Sequence, residues 1–174
     1  MVAALVATSA APVPAEQAQY LTFTVGKELL GLGILAVKEI IEYQTLTVVP
    51  MMPPAVRGVI NLRGAVVPVI DLSVRLGKEP ADVSKRTCIV IVELKRDGEQ
   101  LTIGALVDAV NQVLEIPASE IEPTPSFGTK IRRDFIRGMG KVNGKFVVLL
   151  DAEHVLTFED VEALQELNRA PARD

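Results

Sequence analysis

Tyr20-Leu-Thr-Phe-Thr-Val25 alternates apolar and polar side chains with a period of two, and Gly26-Lys27 breaks the pattern before a second apolar run from Glu28 to Ile34. Alternation of this kind sends successive side chains to opposite faces of a strand, so the segment predicts a hairpin. Leu35 to Lys38 predict one helical turn and Glu39 to Tyr43 a further strand, after which Pro50, Pro53 and Pro54 enforce a loop. Two β-branched runs, Val59-Ile60 and Val66 to Ile70, then flank Arg63-Gly64, where glycine can take the positive φ of a tight turn. Asp71 is placed to cap a short helix from Leu72 to Leu76 that Gly77 ends, and Glu79 to Lys85 read as a linker.

The same order of events returns. Strands are predicted for Cys88 to Leu94, for Gln100 to Val107 across a turn at Asp97-Gly98, and for Val110 to Ile116. An offset of 80 residues carries Gly58 onto Gly138, Gly64 onto Gly144, Asp71 onto Asp151 and Leu76 onto Leu156. An offset of 73 carries Gly31 onto Gly104 and Val37 onto Val110. The seven-residue difference falls in the polar, proline-containing stretch around Ser119 to Lys130, where an insertion costs least. Two copies are too few for a solenoid. The duplication predicts a mainly β molecule of two small packed barrels, one from about residue 19 to 80 and the other from about 86 to 157, within a single domain over 19–157. Residues 1–18 read as an unstructured Ala/Pro tail. Residues 158–174 read as an amphipathic C-terminal helix and tail, with Val161, Leu164, Gln165 and Leu167 at helical spacing.

Composition narrows the function classes. Hydrophobic residues make up 49% of the 174, ample for a core, while aromatics are only 4% and tryptophan is absent, so the core is aliphatic. A net charge of −4 removes the simplest electrostatic case for nucleic acid or an anionic membrane. No apolar run approaches the roughly 18 residues of a spanning helix. The Ala- and Val-rich start has no Lys or Arg before Lys27 and so lacks the charged region of a secretory signal. The single Cys88, inside Thr87-Cys-Ile-Val-Ile-Val92, has no internal partner and fits a reducing compartment.

Catalytic chemistry is hard to assemble from these residues. One Cys, one His and no serine in a nucleophile elbow leave no triad and no zinc set. His154 reads as a surface or half-buried side chain. Gly138-Met-Gly-Lys-Val-Asn-Gly-Lys145 imitates a phosphate loop, but Met139 and Phe146 stand where the motif needs Gly and a hydroxyl, and Asn-Gly is a hairpin turn. No metal or cofactor is expected. An RNA-binding barrel would want basic and aromatic residues on one face, and Arg132, Arg133 and Arg137 with Phe127 and Phe135 are the only cluster. Glu39, opening an apolar strand, and Arg63, in the signature hairpin, are either a carboxylate–guanidinium pair or two independently solvated side chains.

Gln19-Tyr-Leu-Thr-Phe-Thr-Val-Gly26, Gly31 to Ile40, Val56-Arg-Gly-Val-Ile-Asn-Leu-Arg-Gly64, Val67-Pro-Val-Ile-Asp71 and Leu106-Val-Asp-Ala-Val110 together resemble the CheW family of bacterial chemotaxis coupling proteins. The resemblance runs from about Gln19 to Leu156. It implies paired five-stranded SH3-like barrels and a non-enzymatic cytoplasmic adaptor at receptor arrays on the inner face of the membrane. Such an adaptor joins the regulatory domain of the histidine kinase CheA to the cytoplasmic tip of methyl-accepting chemoreceptors. Carried over by motif, Val37, Glu39, Gly58, Arg63, Cys88 and Val110 would line a receptor-binding groove, and Ile41, Tyr43 and Leu46 would offer exposed apolar strand edge to the kinase. A paralogue serving a non-motility array is the alternative within the family.

Overall fold

The computed structural model describes residues 19–96, 98–123 and 131–157. The chain runs β1 (Gln19–Val25), β2 (Glu28–Gly33), β3 (Val37–Glu42), β4 (Val56–Leu62), β5 (Ala65–Asp71) and α1 (Leu72–Arg75). It continues as β6 (Cys88–Arg96), β7 (Glu99–Val107), β8 (Ala109–Glu115), β9 (Ile121–Glu122), β10 (Ile136–Val142), β11 (Lys145–Leu150) and α2 (Ala152–Leu156). The helical turn expected after β2 is a 3-10 turn at Ile34–Ala36. The expected turn residue Asp97 and the C-terminal helix lie outside the described residues, as does the tail before Gln19.

The repeat is visible atom by atom. Arg63 and Asn143, at φ 53° and 51°, precede Gly64 and Gly144 at 90° and 78°, the paired left-handed values that let a two-residue turn match the strand twist. The Asp71 carboxylate caps α1 by accepting from the Ser73 amide, and that of Asp151 caps α2 through the His154 amide. The amides of Asp71 and Asp151 donate to Ala55 and Phe135 carbonyls, each at 2.7 Å.

Where the strands go differs from the expected partition. One sheet has the order β3-β6-β7-β5-β4 and the other β9-β10-β11-β2-β1-β8. Each repeat therefore lends its first hairpin to the other: β6–β7 pairs parallel with β5 at Val69↔Gly104, and β1–β2 pairs parallel with β11 at Leu149↔Gly31. A cut near residue 80 severs both sheets. The crossings are short, Ile34–Ala36 between β2 and β3 and Asp108 alone between β7 and β8.

Burial explains the exchange. The lent hairpins are buried on both faces. Ile89 and Ile91 of β6 face a cluster with Ile60, Val67 and Val69 inside the first sheet, and Tyr20 of β1 faces Ile116, Val147 and Leu149 inside the second. Alternate residues, Leu21, Phe23 and Val25 on β1 with Val90, Val92 and Leu94 on β6, join one shared core between the sheets. Period-two alternation thus sorts each strand between a sheet interior and a common seam.

Both sheets curl. β8 and β9 stand at opposite edges of the second sheet yet are separated only by residues 116–120, and in the first sheet the segment after β3 reaches β4 through Thr47↔Val59. The second sheet has six strands rather than the expected five because Ile121–Glu122 forms a ladder with β10, where Thr47 makes a single bridge.

Candidate functional site

Glu39 and Arg63 are paired. Arg63 Nη1 donates to Glu39 Oε2 and Nη2 to Oε1, both at 2.8 Å, a fork-to-fork arrangement between β3 and the β4–β5 turn. These strands are the two outer members of the first sheet, so the pair spans the seam where the curled sheet meets itself. Two local features aim the side chains. A bulge between Val37 and Glu39 turns Lys38 toward Glu93 at 2.9 Å and leaves Glu39 to the turn, and the left-handed backbone of Arg63 is secured by Asn61 Oδ1 accepting from the Gly64 amide.

The pair is open to water, with the Arg63 side chain 67% exposed. Hydrogen bonding from Arg63 draws the Glu39 carboxyl below its ordinary range, assisted by the Arg63 and Lys38 charges, and the same bond raises the Arg63 guanidinium. Two opposite charges locked on an exposed rim contribute little to stability. They do present a fixed polar edge.

The other groove residues divide between two places. Val37, Cys88 and Val110 are half-buried and pack on the shared core between the sheets. Val37 and Cys88 lie on adjacent strands, opposite Val92 and Glu42, while Val110 stands opposite Phe23 in the other sheet. Val37 and Val110 are equivalent positions of the two repeats. The Cys88 thiol donates to the Arg86 carbonyl. Gly58 is buried at the β4 bulge, at φ 154°, where an added Cβ would sit 2.5 Å from the Thr47 carbonyl oxygen. Its evident work is to let Thr47 reach Val59.

Ile41, Tyr43 and Leu46 are not the exposed edge that was expected. All three are half-buried against the interior cluster of the first sheet. Exposed apolar area nearby comes instead from Ile40 on the opposite face, 42% exposed, and from Val48 and Met51, 76% and 98% exposed. The signal was present in the sequence. Pro50 and Pro53 keep Val48 to Met52 out of a ladder, and Ile40 interrupts the charged face of Lys38 and Glu42. Among the described residues no three His, Cys, Asp or Glu side chains gather as a metal site, and no helix is long and apolar enough to cross a membrane.

The model of the CheW-like domain family matches residues 19–160. The chain is 36% identical over 145 residues to the chemotaxis protein CheW of Rhizobium meliloti (strain 1021), covering 83% of this chain and 91% of that protein. It is 30% identical over 152 residues to the chemotaxis protein CheW of Klebsiella aerogenes, covering 87% and 89%. Among solved structures, the scaffolding protein TtCheW from Thermoanaerobacter tengcongensis superposes with a TM-score of 0.71 at 34% identity, covering 80% of this chain and 87% of that one.

Proposed function

Because the chain belongs to the CheW-like family of chemotaxis scaffolding proteins, we propose that it couples the cytoplasmic tip of methyl-accepting chemoreceptors to the histidine kinase CheA, as a non-enzymatic adaptor in the cytoplasm at receptor arrays. The observation that carries this reading is the bidentate Glu39–Arg63 pair where the outer strands of the first sheet meet. A receptor helix presents anchors at i, i+3 and i+4, and an aliphatic seam containing Val37, Cys88 and Val110 can accept them while the charged pair sets orientation. The regulatory domain of CheA docks beside it, on the outer face of β3 and the segment that follows. Ile40, Val48 and Met51 supply the exposed apolar area there, and Ile41, Tyr43 and Leu46 support it from beneath.

The test uses substitutions that separate binding from folding. Arg63→Asn keeps a residue type that tolerates the left-handed turn, as Asn143 does in the second repeat, but removes the guanidinium. Its melting temperature stays within about 2 °C of the parent, consistent with a surface change of under about 0.5 kcal/mol. Its affinity for a receptor cytoplasmic fragment, measured by titration calorimetry, falls by about tenfold or more, as does that of Glu39→Arg, while CheA binding persists. A folded Arg63→Asn protein that binds receptor like the parent would overturn the groove assignment.

A further inference from the structure

Arg57 and Arg137 are the residues that the two β-bulges leave without a cross-strand partner, at Val56/Gly58 and at Ile136/Gly138. A bulge re-aims its extra side chain. In the first repeat Arg57 is aimed inward, where Nη1 donates to Asp71 Oδ2 at 2.6 Å and to the Ala81 carbonyl at 3.1 Å. In the second repeat the equivalent carboxylate, Asp151, is held by His154 instead, with Nδ1 3.0 Å from Oδ2. Among the described residues Arg137 has no hydrogen bond or ion pair.

Arg137 lines a small cleft beside the crossing from the second sheet to the first, together with Tyr20, Gly33, Leu35, Ala36 and Leu150. The walls are mainly aliphatic, and Leu35 on the rim is 75% exposed. Burial pushes the Tyr20 phenol above the ordinary tyrosine range, and the Arg137 charge acts on it in the opposite sense. Tyr20 and Arg137 are the two lining residues with side-chain hydrogen-bond donors, in a recess whose other walls are apolar. Its volume, about 180 Å³, is below the roughly 300–1,000 Å³ of pockets that hold cofactors and drug-sized ligands. It suits a side chain and a carboxylate.

We infer that this cleft is a docking point for a partner polypeptide that presents a carboxylate beside a branched aliphatic side chain, the carboxylate bound by Arg137 and Tyr20 and the aliphatic group seated against Leu35, Ala36 and Leu150. Charge complementarity selects this occupant: an unpaired guanidinium at the end of an aliphatic recess favours an anion joined to an apolar group over a cation or a neutral helix face. The Asp151 carboxylate does not compete, since it is engaged by the His154 ring and the His154 amide. The lining of the cleft does not include Glu39 or Arg63, and its test needs neither kinase nor receptor.

The probe is N-acetyl-leucine, which sets a carboxylate next to an isobutyl group, against N-acetyl-leucinamide, which lacks the charge. Each is titrated into the full-length ¹⁵N-labelled chain. N-acetyl-leucine is expected to shift the amides of Gly33, Leu35, Ala36 and Ala152 saturably, with the amide form binding about tenfold more weakly or worse. Arg137→Ala, at an exposed position, is expected to abolish the difference between the probes. Tyr20→Phe, which keeps the ring, should weaken the acid several-fold. Equal binding of acid and amide, acid binding unchanged in Arg137→Ala, or no localised shifts up to about 50 mM, the reach of a fragment of this size, would each overturn the inference.

Discussion

The caps of α1 and α2, Asp71 and Asp151, share one backbone geometry and are treated in opposite ways. At α1 the carboxylate of Asp71 is fully buried, accepts from Arg57 Nη1 and from the Ser73 and Ala81 amides, and so ties the linker back onto the first sheet. At α2, Asp151 keeps its capping bond but sits half-exposed, paired with an exposed histidine. Duplication has preserved the bulge, the cap and the turn, which are backbone devices that both copies need to fold. The side chains they aim have diverged. One copy spends its arginine on closing the structure, and the other leaves its arginine facing outward.

Removing the carboxylate from each copy widens this contrast most. A buried charge pair stripped of one partner leaves the other desolvated, at a cost of about 3 kcal/mol or more, and Asp71→Ala also orphans two amides. Asp151→Ala loses a cap and an exposed contact, about 1 kcal/mol. Urea unfolding monitored by circular dichroism should therefore place Asp71→Ala at least twice as far below the parent as Asp151→Ala. Equal losses would mean that the buried network contributes no more than a surface cap.

Bulge glycines give the next contrast. At Gly58 a methyl group meets the Thr47 carbonyl oxygen at 2.5 Å on a backbone that L residues rarely adopt, and the obstacle is main chain. At Gly138 the obstacles are Ile121 Cγ2 at 2.7 Å and the Glu122 carbonyl oxygen at 3.0 Å, both on the two-residue strand β9, and the backbone there has no positive φ to strain. Gly58→Ala should cost about 3 kcal/mol from strain and overpacking together, and Gly138→Ala about 1 kcal/mol. This also bears on function: receptor binding lost in Gly58→Ala would report a displaced Thr47 rather than a groove contact. Arg63 and Glu39 are the cleaner probes.

What was legible beforehand follows the same division. The turns at Arg63-Gly64 and Asn143-Gly144, the caps Asp71 and Asp151, and the equivalence of the copies are local devices, and local devices leave spacing in a sequence. The exchange of β1–β2 and β6–β7 is not local. Offsets of 80 and 73 describe two similar repeats whether each hairpin stays home or crosses over, because nothing in the alternation of β7 says which parallel neighbour it meets. The same blindness placed Ile41, Tyr43 and Leu46 on an exposed edge: periodicity identifies two faces without saying which is inside. The Glu39–Arg63 pair was chemically sensible but depended on the outer strands of one curled sheet meeting, which only the fold supplies. The loss of Arg57's kind of partner at Arg137 shows only when both bulges are seen side by side.

The smallest contrast lies in pH. Hydrogen bonding to Asp151 raises His154 above the ordinary histidine value, with the Asp151 charge adding to the effect. A group whose pKa is raised on folding favours the folded state most when protonated in both states, so this contribution is complete below the unfolded value of about 6.5 and fades as pH climbs through the folded one. Exposure of the ring and screening by salt keep it small. His154→Gln retains a polar side chain without the charge. Its melting temperature should lie below the parent at pH 5.5 and converge on it by pH 8.5, with the gap at low pH narrowing as salt is added. A gap that is constant across this range would assign the difference to packing of the α2 end, and a gap that widens with pH would contradict the raised value.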